Sequence, residues 1–226
     1  MNPSGWSSTS GVFSETTLSK GIFDLIVGLR YDMYDINGSG NADPSFGLPP
    51  GVAAGPFKLD KSGGNFNPKV TLAARATDWF QPYITYSESS RPPDVSELFT
   101  GGVHPGGANI GFLPNPLLNP ESQQGLEVGA NIKQDNLFFS GDSFRLKADY
   151  YHMDVADYVA ACFTDMGAAY FCNAPGNSQV QGVDLQGMYD AGYAFAGPSY
   201  TFTHTDLPPQ TDGFGAHSAL PSTTPW

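Results

Sequence analysis

The stretch IFDLIVGLRYDMY, residues 22–34, alternates between two kinds of side chain. Every odd position from Phe23 to Met33 is apolar or aromatic, whereas the even positions include Asp24, Arg30 and Asp32. Successive side chains of a β-strand point to opposite faces of its sheet. The stretch therefore predicts a strand with one apolar face and one face that carries charges of both signs.

The same period of two recurs along the chain. Apolar residues stand at alternate positions in the segments 69–77, 124–133, 143–150, 180–191 and 193–205, and more weakly in 79–89. Gly (27) and Pro (19) are abundant, as many strands joined by turns require. We predict a single all-β unit over residues 1–226, with about eight strands.

Alternation by itself does not separate a soluble β-sandwich from a membrane barrel. Three observations favour the barrel: charges stand in mid-strand, short connections alternate with long ones, and aromatic residues stand near predicted strand ends. The short connections include 76–79 and 190–193, and the long ones run over about 35–65, 88–122 and 157–179 and from 205 onward. The aromatic residues in question are Tyr31, Tyr34, Trp79, Phe80, Tyr150, Tyr151, Tyr189 and Tyr193. We predict a transmembrane antiparallel β-barrel, with a soluble extracellular β-domain as the alternative.

Composition narrows the classes of function. The formal net charge is −12, so we expect no nucleic-acid partner, because its recognition needs a basic surface. No apolar run approaches the roughly 18 residues of a transmembrane helix. No Gly-rich phosphate loop and no carboxylate pair suited to acid–base chemistry stands out, so we expect no enzyme. Residues 1–10 lack the features of a signal peptide, so we expect the N-terminus of an exported protein to lie further upstream.

Two segments resemble motifs of a known family. Residues 82–99, PYITYSESSRPPDVSELF, place Arg91 and Pro92 after a strand that ends in Tyr-Ser. This segment is similar to the arginine–proline box of TonB-dependent receptors. Residues 115–121, NPLLNPE, resemble the Asn-Pro box of the same family and contain Asn115, Pro116, Leu118 and Glu121. Segments 28–32, 127–129, 149–158 and 181–187 resemble further strands of the family, in the family's order.

The resemblance implies a β-barrel of the bacterial outer membrane, in contact with outer-membrane lipid. A full barrel of this family has about 22 strands, so we expect a C-terminal section, truncated at both ends and without the N-terminal plug. It also implies uptake of an iron source, energised by the TonB complex, with haem or a haem protein as the cargo and no required cofactor. The alternatives are a receptor for a siderophore or another nutrient, a passive porin-like channel, and an adhesin domain.

Candidate site residues follow from the two boxes. In haem receptors of the family, a loop histidine between the boxes is an axial ligand of the iron, and His104 stands at that position. An ordinary loop residue is the alternative. The guanidinium of Arg91 suits an anionic ligand, but pairing with a nearby carboxylate, Asp94 or Glu97, is the favoured interpretation.

Cys162 and Cys172 are the only cysteines, and both fall in one long connection that is predicted to be extracellular. That compartment permits disulfides, and a bridge closing a short loop stabilises it by about 3 kcal/mol. A metal site is the alternative, but no His or third Cys stands nearby. We therefore expect a disulfide.

Overall fold

The computed structural model describes residues 4–103 and 111–206. These residues contain strands of very different length and one short helix. In chain order the elements are β1 (Ser4–Lys20), β2 (Phe23–Ala42), β3 (Gly55–Ala74), β4 (Phe80–Arg91), α1 (Val95–Phe99), β5 (Gly102–Val103), β6 (Gly111–Leu113), β7 (Glu121–Asp135), β8 (Ser143–Ala156), β9 (Val159–Phe163), β10 (Ala169–Asn173), β11 (Asn177–Asp190), β12 (Phe195–Ala196) and β13 (Ser199–Asp206).

The long strands form one antiparallel sheet of nine strands, in the order β1-β2-β3-β4-β7-β8-β11-β12, with β13 also paired to β11. Because β12 and β13 pair with successive parts of β11, they share one place in the sheet, and nine strands fill eight places. The prediction of an all-β fold with about eight strands is confirmed. No helix in the described part of the chain has the length and apolar character needed to cross a membrane.

One face of this sheet, called here the outer face, is apolar across neighbouring strands. Leu72 lies between Leu25 and Ile84 in register, and Ile84 in turn pairs with Val128. Ile84 and Val128 are 43% and 48% exposed. A contiguous apolar surface of this kind is unusual in a soluble protein and is typical of a lipid-facing barrel wall. The same row of outer-face residues continues through Tyr150, Val183 and Phe202.

The opposite face, called the inner face, is polar over the same span. The Tyr83 hydroxyl donates to Glu127 Oε1 at 2.6 Å. Lys147 Nζ lies 3.3 Å from the same Glu127 oxygen and 3.0 Å from Asp149 Oδ1. Lys147 thus pairs with Glu127 of the adjacent strand β7 and with Asp149 of its own strand, as half-buried charges require.

One sequence-based expectation about strand length was wrong, and one long strand was not predicted. The long connection expected over 35–65 is mostly strand, because β2 runs to Ala42 and β3 begins at Gly55, so the loop is 43–54. A strand of 20 residues is about twice as long as the roughly 10 residues with which a strand crosses a bilayer. It extends about 66 Å. The strand that was not predicted is β1, because its outer-face alternation is interrupted by Ser10, Ser14 and Thr16.

The aromatic residues fall into two groups. Trp79, Phe80, Tyr189 and Tyr193 do lie at strand ends beside short turns. The other four lie in strand interiors, because β2 and β8 continue past the ends expected for them. These four are Tyr31, Tyr34, Tyr150 and Tyr151.

The hydrophobic core lies at the end of the sheet opposite the short turns. There the described residues of the long connections, 43–54, 92–103, 111–120 and 157–176, pack with the far ends of β2 and β3; this assembly is called the cap. It contains a second sheet in the order β5-β6-β10-β9, in which β6 and β10 are parallel. The buried residues of the core are Tyr34, Ile36, Leu98, Phe99, Leu118 and Val159.

Candidate functional site

The first box turns the chain from the sheet into the cap. Pro92 follows Arg91, the last residue of β4, and ends the ladder because proline has no N–H to donate. The Asp94 carboxylate then accepts from the Ser96 N–H at 2.8 Å, and Glu97 Oε2 accepts from the Asp94 N–H at 2.7 Å. This reciprocal capping box starts α1.

Arg91 lies where both boxes meet. Its Nη1 and Nη2 donate to the two carboxylate oxygens of Glu97 at 3.0 and 3.1 Å. Its Nε donates to Glu121 Oε2 at 2.7 Å, and Glu121 Oε1 accepts from the Val159 N–H at 2.7 Å. This Arg91 junction joins β4, α1, β7 and β9. A guanidinium with five donors in a rigid fork suits such bidentate pairing.

The charged groups of the junction shift one another's pKa values. Hydrogen bonding to Glu121 is the main cause that raises the pKa of Arg91. Burial alone would raise the pKa of Glu121, but the hydrogen bonds from Arg91 and the Val159 N–H, with the charge of Arg91, outweigh it and lower that pKa. The junction is therefore an ion pair at neutral pH.

Of the two nearby carboxylates expected as partners of Arg91, Asp94 or Glu97, the structure selects Glu97. Glu97 does pair with Arg91, whereas the Asp94 carboxylate binds the helix start instead. Glu121 was foreseen as part of the second box but not as a partner of Arg91, because 30 residues separate them. The register between β4 and β7, which pairs Arg91 with Glu121, brings them together.

The second box is held by hydrogen bonds and by burial. Asn115 Oδ1 accepts from the Leu117 N–H at 3.1 Å, and Asn115 Nδ2 donates to the Phe171 carbonyl of β10 at 2.8 Å. Leu118 is fully buried in the core, and its carbonyl accepts from Lys61 Nζ of β3. Pro116, between these anchors, is half-buried.

His104 lies outside the described residues. The residues that flank its segment are described: Val103 pairs with Gly111, and Gly102 pairs with Phe112. β5 follows α1 and the first box, and β6 leads directly into the second box. The two boxes thus hold the two ends of the segment that carries His104.

A disulfide joins Cys162 of β9 to Cys172 of β10, with the two Cα atoms 5.9 Å apart. β10 also pairs with β6, so the bridged hairpin supports the same small sheet that ends the His104 segment. The Thr164 hydroxyl beyond β9 donates to the Phe46 carbonyl of the 43–54 loop at 2.7 Å. The three long connections are therefore one packed unit.

The cap surface offers apolar side chains to a ligand. Val103, Leu117 and Met166 are 51%, 53% and 67% exposed. Within residues 4–103 and 111–206, no group of three or more His, Cys, Asp or Glu side chains is arranged to hold a metal ion. These described residues can therefore contact an apolar ligand, but they form no cage for a bare ion.

Comparisons with known proteins agree with this arrangement. The family model described as "TonB dependent receptor-like, beta-barrel" matches residues 2–226. A probable TonB-dependent receptor of Haemophilus influenzae is 28% identical over 225 residues, which cover 92% of this chain and 24% of that protein. Heme/hemopexin utilization protein C of Haemophilus influenzae is 31% identical over 149 residues, which cover 55% of this chain and 21% of that protein.

Among solved structures, a double mutant of the Serratia marcescens hemophore receptor HasR, in complex with its hemophore HasA and heme, gives a TM-score of 0.72 at 27% identity. The match covers 89% of this chain and 34% of that chain. The copper transporter OprC, at a TM-score of 0.61 and 19% identity, shares the fold alone. The chain thus spans 24% of the length of the Haemophilus receptor that it matches. Because the family model covers nearly all of the sequence, the chain belongs to the TonB-dependent receptor β-barrel family.

Proposed function

We propose that this chain is the wall and cap of an outer-membrane receptor that takes up haem, free or carried by a protein, with energy from the TonB complex. The observation that carries this proposal is the cap, in which both boxes hold the ends of the His104 segment. The names of two relatives, a heme/hemopexin utilization protein and a hemin receptor of Yersinia enterocolitica, support the choice of cargo.

In this proposal His104 supplies an axial ligand to the haem iron. Neutral imidazole is a common ligand of haem iron, and the exposed apolar side chains of Val103, Leu117 and Met166 suit the faces of a porphyrin. Haem is cargo here and not a resident cofactor. No group in the described part of the chain is assigned a catalytic role.

Arg91 acts in this proposal as a positioning residue. Its side chain donates hydrogen bonds to Glu97 and Glu121, so a haem propionate would have to displace one of these carboxylates to reach it. The junction instead holds the end of β4 against α1 and β9, and through them it holds the flanks of the His104 segment. Its effect on the ligand is therefore indirect.

The outer face contacts outer-membrane lipid, and the chain is one section of a larger barrel. In the described residues β1 pairs only with β2, and β13 pairs only with β11, so both outermost strands offer unpaired backbone groups to further strands. The small share of each relative that the chain covers supports the same proposal. Coupling to TonB belongs to the whole receptor.

A haem titration tests the cargo. The complete reading frame that contains residues 1–226 is purified in detergent and titrated with haem while the Soret band is followed. We expect His104→Ala to shift the Soret maximum and weaken binding, and the matched control His152→Ala, on β8 outside the cap, to leave both unchanged. Equal behaviour of the two variants contradicts the role of His104. A ferric siderophore that binds where haem does not would favour the siderophore alternative.

A further inference from the structure

The turn between β7 and β8, at the end of the sheet opposite the cap, is built around a buried carboxylate. Asp142 is 2% exposed. Its two oxygens accept from three consecutive backbone N–H groups, those of Leu137 at 2.6 Å, Phe138 at 2.9 Å and Phe139 at 3.0 Å. Burial opposes ionisation of Asp142, but these bonds and one from Tyr189 together lower its pKa. The turn is thus internally satisfied by a charged group.

Three further contacts close the same turn. The Asn136 N–H donates to the Asp142 carbonyl at 2.9 Å, and the Gly141 N–H donates to Asn136 Oδ1 at 2.7 Å. Asn136 and Gly141 adopt positive φ values of 56° and 91°, which asparagine and glycine tolerate better than other residues. The Asp142 N–H also donates to the Phe139 carbonyl at 3.3 Å, so six backbone N–H groups of this short turn have partners inside it.

The turn reverses the usual arrangement of polar and apolar groups. Its charged residue is buried, while Phe138 and Phe139 are 70% and 61% exposed. In water, large apolar side chains that a fixed backbone holds outward do not contribute the folding free energy that their burial would provide. A turn whose N–H groups are already bonded is, however, well suited to a medium of low polarity, where an unpaired N–H is costly.

The Phe138 ring continues the outer face of the sheet. The edge of Phe138 packs against the Tyr189 ring, with centroids 5.8 Å apart, and the Tyr189 hydroxyl donates to Asp142 Oδ2 at 2.8 Å. Tyr189 pairs with Phe144 of β8, and both residues occupy outer-face positions of their strands. On the other side, the Lys133 N–H of β7 donates to the carbonyl of Trp79 at 2.9 Å. The exposed Phe138 ring therefore borders the apolar band, and the exposed Phe139 follows it in the same turn.

We propose that Asp142 fixes this turn as an interfacial anchor, which places Phe138 and Phe139 in the headgroup region of a phospholipid leaflet. The inference rests on the proposed function in one respect, that the outer face lies in a membrane. Lipid is the occupant because the Phe138 ring continues the apolar band and contacts Tyr189, and because an aromatic ring with a polar tip, such as that of Tyr189, favours the membrane–water interface. A second copy of the chain or a periplasmic protein would give different results in the test below.

Depth-dependent fluorescence quenching tests the anchor. All tryptophans of the complete reading frame, including the three of this chain, are replaced by phenylalanine, and single reporters are introduced as F139W in the anchor, V128W in the middle of the outer face and V103W in the cap. The complete reading frame is reconstituted in phosphatidylcholine vesicles that carry bromine either close to the headgroup or deep in the acyl chain. We expect bromine near the headgroup to quench F139W most, deep bromine to quench V128W most, and neither to quench V103W.

The outcomes separate the two proposals. If V128W is quenched and F139W is not, the anchor is wrong and the membrane placement stands; a protein occupant of the turn gives this result. If V128W is not quenched, the membrane placement fails. D142N combined with F139W should lose the quenching by bromine near the headgroup, while D142N combined with V128W reports whether the barrel still inserts. Unchanged F139W quenching in an inserted D142N variant would contradict the role of Asp142.

Discussion

The two halves of β2 carry their apolar side chains on opposite faces of the same strand. In the half next to the short turn, residues 23–33, the odd positions are apolar and lie on the outer face, where Leu29 is 45% and Met33 is 46% exposed. In the half that enters the cap, Tyr34 and Ile36 are 9% and 1% exposed on the inner face. The apolar positions change from odd to even at Tyr34, with no bulge needed.

The difference shows what each half packs against. Near the short turn the inner face is polar, with Arg30 bonded to Asp32, and the apolar groups lie outside, as a lipid-facing wall requires. Near the cap, α1 and the second box cover the inner face, so the apolar groups lie inside. A one-residue change of phase exchanges the two faces of a strand, and here it marks where the wall becomes the cap.

The largest effect is expected from the truncation of a core side chain in the cap. It should destabilise the cap half and leave the half near the short turns unchanged. Leu98→Ala removes a fully buried side chain from the cap and should lower the free energy of cap opening by about 4 kcal/mol. Hydrogen exchange of the β9 and β10 amides in detergent measures it. The control Val128→Ala, on the exposed outer face, should leave those amides unchanged. Equal exchange in the two variants would mean that the cap has no core of its own.

Removal of the disulfide is the next effect in size. The double variant Cys162→Ser, Cys172→Ser releases a loop with a sequence separation of 10 and should lower cap stability by about 3 kcal/mol. Limited proteolysis of the 157–176 connection measures the loss. The strands near the short turns should keep their resistance, because the bridge lies wholly within the cap. Cleavage at the short turns in the same variant would contradict the separation of the two halves.

A smaller effect is expected at the Arg91 junction. Arg91→Lys keeps the charge but cannot pair bidentately with Glu97 while also reaching Glu121. Because the Arg91 side chain is 46% exposed, solvent screening limits the cost to about 1 kcal/mol. Exchange of the Val159 amide, which bonds to Glu121, reports it. Lys147→Arg, on the inner face of the turn half, is the matched control and should leave that amide unchanged.

The smallest effect is the dependence of the cap on pH. The pKa of Glu121 is lowered in the folded protein, so its stabilisation is present above the unfolded pKa of about 4.3. It is lost as the pH falls through the lower folded value. Protease resistance of the cap should therefore stay level from neutral pH down to about pH 5 and decline in stronger acid. Glu121→Gln should reduce this loss of protease resistance in acid. An unchanged loss would mean that protonation of other carboxylates causes it.

How much the sequence could predict differs between the two halves. The wall could be predicted because alternation within a strand shows which of its faces is apolar. The register then pairs outer-face residues of neighbouring strands, such as Leu72 and Ile84. The cap was not, because its contacts join residues distant in sequence. β6 pairs in parallel with β10, and Lys61 bonds to the Leu118 carbonyl across 57 positions. The phase change at Tyr34 was a local signal of the place where β2 enters the cap, but Tyr34 was interpreted as an aromatic residue near a strand end.

The sequence by itself determined the all-β class, the two-faced strands, the two boxes and the resemblance that they carry. These depend on local periodicity and on short motifs, which need no knowledge of partners. The tertiary structure alone decided that Arg91 joins the two boxes through Glu121, that three long connections fold into one cap, and that Asp142 holds two aromatic rings outward. Those arrangements arise from strand register and loop packing, which bring together groups that no local pattern connects.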